Sequence, residues 1–191
     1  MLHSSCRSRQ RAARCAGAAL TIAGMALVSG CGLFGSSSAK DQKPAAACPT
    51  AAILQSLSQT AVFAPGSPAQ PLGVAFYGIM NDVEAKCERA GDALRASLDV
   101  VVIGERGPAA RGDTVALQYF VAVTGPDQTI VSKRSFPIQI AIPSGAKRAG
   151  VTEHIEETIP LGGRPAGDLN IAIGFQQPPD VVEFYRRFRG R

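Results

Sequence analysis

Tryptophan is absent from the 191 residues, aromatics make up only 6%, and histidine occurs twice, at His3 and His154. The missing Trp removes the side chain that marks the core of antibody-type domains. With no HExxH or CxxC motif and no phosphate-cradling glycine loop, the usual signatures of metal, redox and nucleotide chemistry are missing. Negative charge is missing from one end: residues 1–30 hold Arg7, Arg9, Arg11 and Arg14 but no Asp or Glu. The apolar run from Ala16 to Val28 has 13 residues. That is too short for a membrane-spanning helix, which needs about 20.

What is present at this end comes in a defined order: a basic stretch, an apolar stretch, the small residues Ser29 and Gly30, then Cys31. Leu27-Val28-Ser29-Gly30-Cys31 resembles the lipobox of bacterial lipoproteins. The resemblance implies that residues 1–30 are a cleaved signal peptide. It also implies that the Cys31 thiol takes a diacylglyceryl group, with two or three acyl chains on residue 31. One chain binds a membrane only marginally, whereas two hold stably. Gly32 stands where an inner-membrane-retained lipoprotein of the enteric type tends to carry Asp. The resemblance therefore implies an outer-membrane protein, lipid-anchored and facing the periplasm.

Removing the signal leaves 16 Lys+Arg against 15 Asp+Glu, a net charge of +1. The whole-chain pI of about 9.2 mostly reports the signal and is no argument for a nucleic-acid partner. Residues 31–47 read as the lipidated cysteine and a small, polar, flexible tether. The tether would place residue 48 roughly 20–25 Å from the lipid surface. Residues 48–191 then form one domain, long enough for its own core.

Cys6 and Cys15 leave with the signal and Cys31 is taken by lipid. Cys48 and Cys87 remain, an even pair for an oxidising compartment, and are expected to form a disulfide. Closing a loop of about 39 residues in this way contributes about 4 kcal/mol in the chain-entropy model. No His or Cys lies at ligand spacing near either, so no metal site is expected.

Beyond residue 48 the pattern alternates with period two. Residues 51–57 read as a first strand with an irregular approach to Phe63, and 64–71 as a loop. Val74, Phe76 and Met80 share one phase and Val83, Ala85 and Cys87 the other, which requires a bulge near Asn81-Asp82. Leu94 to Val102 and Val115 to Val123 alternate cleanly. Gly125-Pro126-Asp127 signals a turn, and Pro137 assigns its strand to a sheet edge or bulge. Val151 to Leu161 and Leu169 to Phe175 complete about seven strands, with no crossover helices between them. The expected fold is all-β: an antiparallel two-sheet sandwich, immunoglobulin- or fibronectin-III-like, with a partly open barrel as the alternative. Val181, Phe184, Tyr185 and Phe188 lie at helical spacing after Asp180, which with Glu183 matches a capping box. They predict a short C-terminal helix docked on the sandwich.

Candidate sites are few. Arg186, Arg187, Arg189 and Arg191 form a basic patch that could contact acidic head groups or a partner; equally, they suit the C-terminus of a helix. His154 sits among Glu153, Glu156 and Glu157, an acidic stretch read as a solvated face. Arg111-Gly112-Asp113 spells an adhesion tripeptide but more simply ends a loop. No residue is assigned as catalytic and no cofactor is expected. Cys48-Pro49, Tyr119-Phe120-Val121-Ala122-Val123 and Gly174-Phe175-Gln176 are similar to segments of uncharacterised proteobacterial outer-membrane lipoproteins. That similarity implies a compartment and a fold, and no activity. The expectation is a non-enzymatic binding or assembly module for another envelope protein. A small-ligand or solute binder, with its pocket between sheet and C-terminal helix, is the alternative, and an enzyme with an unfamiliar site comes last.

Overall fold

A computed structural model describes residues 48–188. Its strands are β1 (Thr50–Ile53), β2 (Gln59–Phe63), β3 (Val74–Ala90), β4 (Ala93–Arg106), β5 (Thr114–Thr124), β6 (Ile130–Ala141), β7 (Arg148–Pro160) and β8 (Asn170–Phe175), followed by helix α1 (Pro179–Phe188). They form two four-stranded sheets, in the orders β1-β8-β5-β6 and β2-β3-β4-β7. Every neighbouring pair is antiparallel except β1 and β8. The fold is thus an all-β sandwich with one short C-terminal helix. Its strand order has its own pattern: β2, β3 and β4 make a meander within one sheet. The constant-type immunoglobulin arrangement instead sends the third strand to the opposite sheet.

Alternation decides which face is buried. On β4, Leu94, Ala96, Leu98, Val100 and Val102 are all fully buried, while Arg95, Ser97 and Asp99 lie on the other face. β5 supplies Val115, Leu117, Tyr119, Val121 and Val123, and β8 supplies Ile171, Ile173 and Phe175, to the same core. Gly78 lets the sheets approach closely, since a Cβ there would come within 2.7 Å of Leu117 and 2.8 Å of Thr60. The β3–β4 register shifts between Met80 and Asp82, the bulge required by the change of hydrophobic phase. Ala90 pairs with Ala93 across a two-residue turn begun by Gly91 at φ 64°, a backbone conformation that glycine adopts without a Cβ penalty. Pro137 lies on β6, which is an edge strand.

Two expectations change. The stretch read as one strand over 51–57 stops at Ile53. Leu54 donates its N–H to the Ile173 carbonyl, and a 3₁₀ turn (Gln55–Leu57) carries the chain into the other sheet. The irregular approach to Phe63 is therefore a strand, β2, which makes eight rather than about seven. Its diluted pattern has a cause: Thr60, a polar residue, is the one that faces inward and is buried.

Cys48 and Cys87 are bonded, with S–S 2.01 Å and Cα–Cα 5.4 Å. Cys48 precedes β1 of one sheet and Cys87 lies on β3 of the other, so the bond ties the two layers together.

Helix α1 covers the outer face of β2 and the start of β3. Phe184 is buried with Ala61 and Val74, and its ring meets Phe63 edge-on at 5.4 Å. Tyr185 and Phe188 flank it at 5.2 Å each. The capping box is replaced: the Pro178 carbonyl accepts the N–H groups of Val181 and Val182, and Glu183 points its carboxylate at arginines further along the helix. Truncating a packed Phe costs about 3–5 kcal/mol. Phe184→Ala should therefore lower the thermal midpoint clearly, and a variant that melts like the parent would mean that α1 contributes no packing.

Candidate functional site

Cys31 lies outside the described residues, as do Arg189 and Arg191. Of the basic patch, Arg186 and Arg187 are described and both are engaged by Glu183. Arg186 holds the carboxylate with two nitrogens, at 2.7 and 2.9 Å, and Arg187 with one at 3.1 Å. Hydrogen bonding from Arg186, then from Arg187, holds the Glu183 carboxyl below its ordinary range, and the same contact raises Arg186. Both described arginines of the patch share the single carboxylate of Glu183, which offsets one of their two charges.

The acidic stretch on β7 splits between two faces, because successive side chains alternate. Glu153 and Glu157 turn toward the sandwich with Ile155, and only Glu156 joins the solvated face. Glu157 is 6% exposed and takes Arg134 of β6 at 3.1 Å. Glu153 accepts the Tyr119 hydroxyl at 3.1 Å. Tyr119 stacks on Phe136 at 5.3 Å, and the Arg134 guanidinium sits over the same ring. This network closes the seam between edge strands β6 and β7. It was invisible in sequence because Tyr119, Arg134, Phe136 and the two glutamates lie on three strands.

His154 faces outward. Its Nδ1 meets Asp99 Oδ1 at 2.5 Å, across a β4–β7 register that pairs the two residues directly. Two pairs further along, on the same face, Ser97 donates to Glu156 at 2.6 Å. Asp99 is the partner for His154 that its sequence neighbours did not supply. Ser97 already gives its proton to Glu156, and His154 is held by a carboxylate on an open sheet face. These two contacts tie β4 to β7 across the solvated face of the sheet. Among the described residues no group of three His, Cys, Asp or Glu side chains converges for a metal, and no described helix is long and apolar enough to cross a membrane.

Two residues of the adhesion-like tripeptide, Gly112 and Asp113, are bound by Arg106. Arg106 donates to the Gly112 carbonyl at 2.5 Å, to Asp113 Oδ1 at 2.6 Å and to the Ile142 and Ala146 carbonyls at 2.9 and 3.1 Å. One guanidinium thereby joins two loops at the end of β4, and Asp113 is part of that clasp.

A groove of about 450 Å³ opens where β2, β5 and the start of α1 meet. Ala61, Phe63, Leu117 and Val181 give it apolar walls, with Gln118, Gln176 and Asp180 at the margins. It exists because β8 ends at Phe175: β5 pairs with β8 only from Tyr119 onward. Past that point Gln176 still donates to the Gln118 carbonyl, then Pro178 and Pro179 turn the chain into α1. Gln177 reaches back to the Gln59 carbonyl at 2.5 Å and closes one end. Neither a scan against protein-family models nor a search of curated proteins finds a match to this chain.

The Tyr119 contact has a pH signature. Burial, then the Glu153 charge and hydrogen bond, raise its pKa well above the ordinary 10.0. Above about pH 10 the unfolded chain gives up this proton while the folded one keeps it, so stability falls as pH rises. Urea midpoints measured between about pH 8 and 11 should decline, and Tyr119→Phe should remove part of that slope. An unchanged slope in the variant would contradict the assignment.

Proposed function

We propose that this protein is a lipid-anchored component of the cell envelope, attached through Cys31 to the outer membrane and facing the periplasm, and that its sandwich is a non-enzymatic binding or assembly module for another envelope protein. The observation that carries the reading is the lipobox order at residues 7–31 placed ahead of a disulfide-bonded domain. The packed interior supports it. The space between the sheets is filled by side chains such as Tyr119, Leu98, Ile140 and Ile173, all at 0% exposure, so recognition falls to the surface.

The groove and Cys48 lie at opposite ends of the sandwich. Cys48 lies at the end that carries the β3–β4 and β5–β6 turns, where Thr50 pairs with Asn170 and Thr124 pairs with the same residue. The groove lies at the opposite end, beside the pairs Val62–Phe76 and Leu117–Ile138. A second reading, a small-ligand binder, draws on the same groove, whose volume of about 450 Å³ is within the usual ligand-site range of about 300–1,000 Å³.

Metabolic labelling with a palmitate analogue tests the anchor. The parent should take up label and be processed before residue 31, and Cys31→Ser should yield unlabelled, uncut precursor. Label that persists in Cys31→Ser would remove the assignment.

A further inference from the structure

Two strands present unpaired backbone to the groove. β2 is the last strand of its sheet. Met80 donates to Ser58, so the residues in step with Ser58 bond to β3, and the alternate residue Ala61 turns its N–H and C=O to the free edge. On β5, Ile142 donates to Asp113 and Gln176 to Gln118. Odd-numbered residues there bond to β6, and even-numbered ones face β8. With β8 ended, Ala116 has its N–H and C=O directed into the same groove. Ala61 is buried at 4% exposure, and buried backbone groups are nearly always paired. Asp180 stands at the margin with no cation partner among the described residues, unlike Glu183 three residues on.

We propose that the groove receives a short extended peptide segment of a partner protein, which adds as a strand beside Ala116 of β5 and Ala61 of β2 and brings a Lys or Arg side chain to Asp180. Main-chain hydrogen bonds supply affinity in this mode, and alternate side-chain contacts supply selectivity. Leu117, Phe63 and Val181 provide the apolar contacts, and the carboxylate of Asp180 selects a basic residue. The inference rests on reading the domain as a binding module and names how that module binds.

The probe is a random 12-residue peptide library displayed on phage, presented to the full chain purified in detergent. Enriched peptides should alternate apolar residues and carry a Lys or Arg. Ala116→Pro removes the inward N–H without touching the β5–β6 ladder, so it should melt like the parent while weakening a selected peptide about tenfold. Asp180→Asn should weaken it about threefold. If Ala116→Pro does not fold, hydrogen exchange on the parent decides the matter, since the Ala61 and Ala116 amides should gain protection when peptide binds. No enrichment over an unloaded surface overturns the proposal, and so do peptides that are insensitive to both variants and protect neither amide. Lipid labelling at Cys31 is scored separately: a labelled protein that selects no peptide keeps its anchor and loses this site.

Discussion

The Cys48–Cys87 bond is the constraint on which the arrangement depends. β1 is four residues long, half exposed, and pairs only with β8 in the parallel sense, a pairing slightly weaker per residue than the antiparallel one. Left alone, such an edge would fray. The bond fixes its start to the far half of β3, beyond the reach of β2, where that strand has no neighbour on one side. It thereby holds the two sheets together along one seam and sets the end of the domain from which the preceding chain emerges. From a held β1, the 3₁₀ turn brings Leu57 onto Gly174, where a Cβ would come within 2.7 Å of it. That turn also launches β2, so the groove depends indirectly on the cross-link.

The opposite seam is closed without a covalent bond. Arg134 and Glu157 pair across β6 and β7, and Tyr119 reaches Glu153 from the core. A buried carboxylate is costly unless paired, so Glu157 and Arg134 depend on each other, and the same guanidinium sits over the Phe136 ring that stacks on Tyr119. Arg106 acts in a comparable way at the far end by serving four oxygen acceptors from two loops. At these places charged groups join elements that the hydrophobic core leaves free.

Much of this was legible in the sequence where period two was uninterrupted. β4, β5 and the bulge at Asn81-Asp82 follow from phase alone, and Pro137 marks its edge strand because proline cannot donate to a ladder. The Cys48–Cys87 pairing followed from parity once the other cysteines were set aside. The helix stripe ending at Phe184 and Phe188 was visible from spacing. Legibility failed where the relevant distance lies across strands. Asp99 finds His154 fifty-five residues away, and Arg106 finds Ile142 thirty-six away. Glu157 was misread as solvated because three glutamates in a short stretch suggest a polar face, whereas alternation turns two of them inward. β2 was missed because it is short and places Thr60 in the core. A pocket between sheet and helix was expected only in general terms; the groove's position arises from where β8 stops relative to β5.

Whether the disulfide holds the weak seam is tested most directly by amide hydrogen exchange on the full chain before and after mild reduction. Reduction should make β1 and the Asp82–Ala90 half of β3 the least protected strand segments, while the Tyr119–Val123 amides remain the most protected. Loss of protection spread evenly over all strands, or a β1 that keeps its protection once Cys48 and Cys87 are separated, would contradict it.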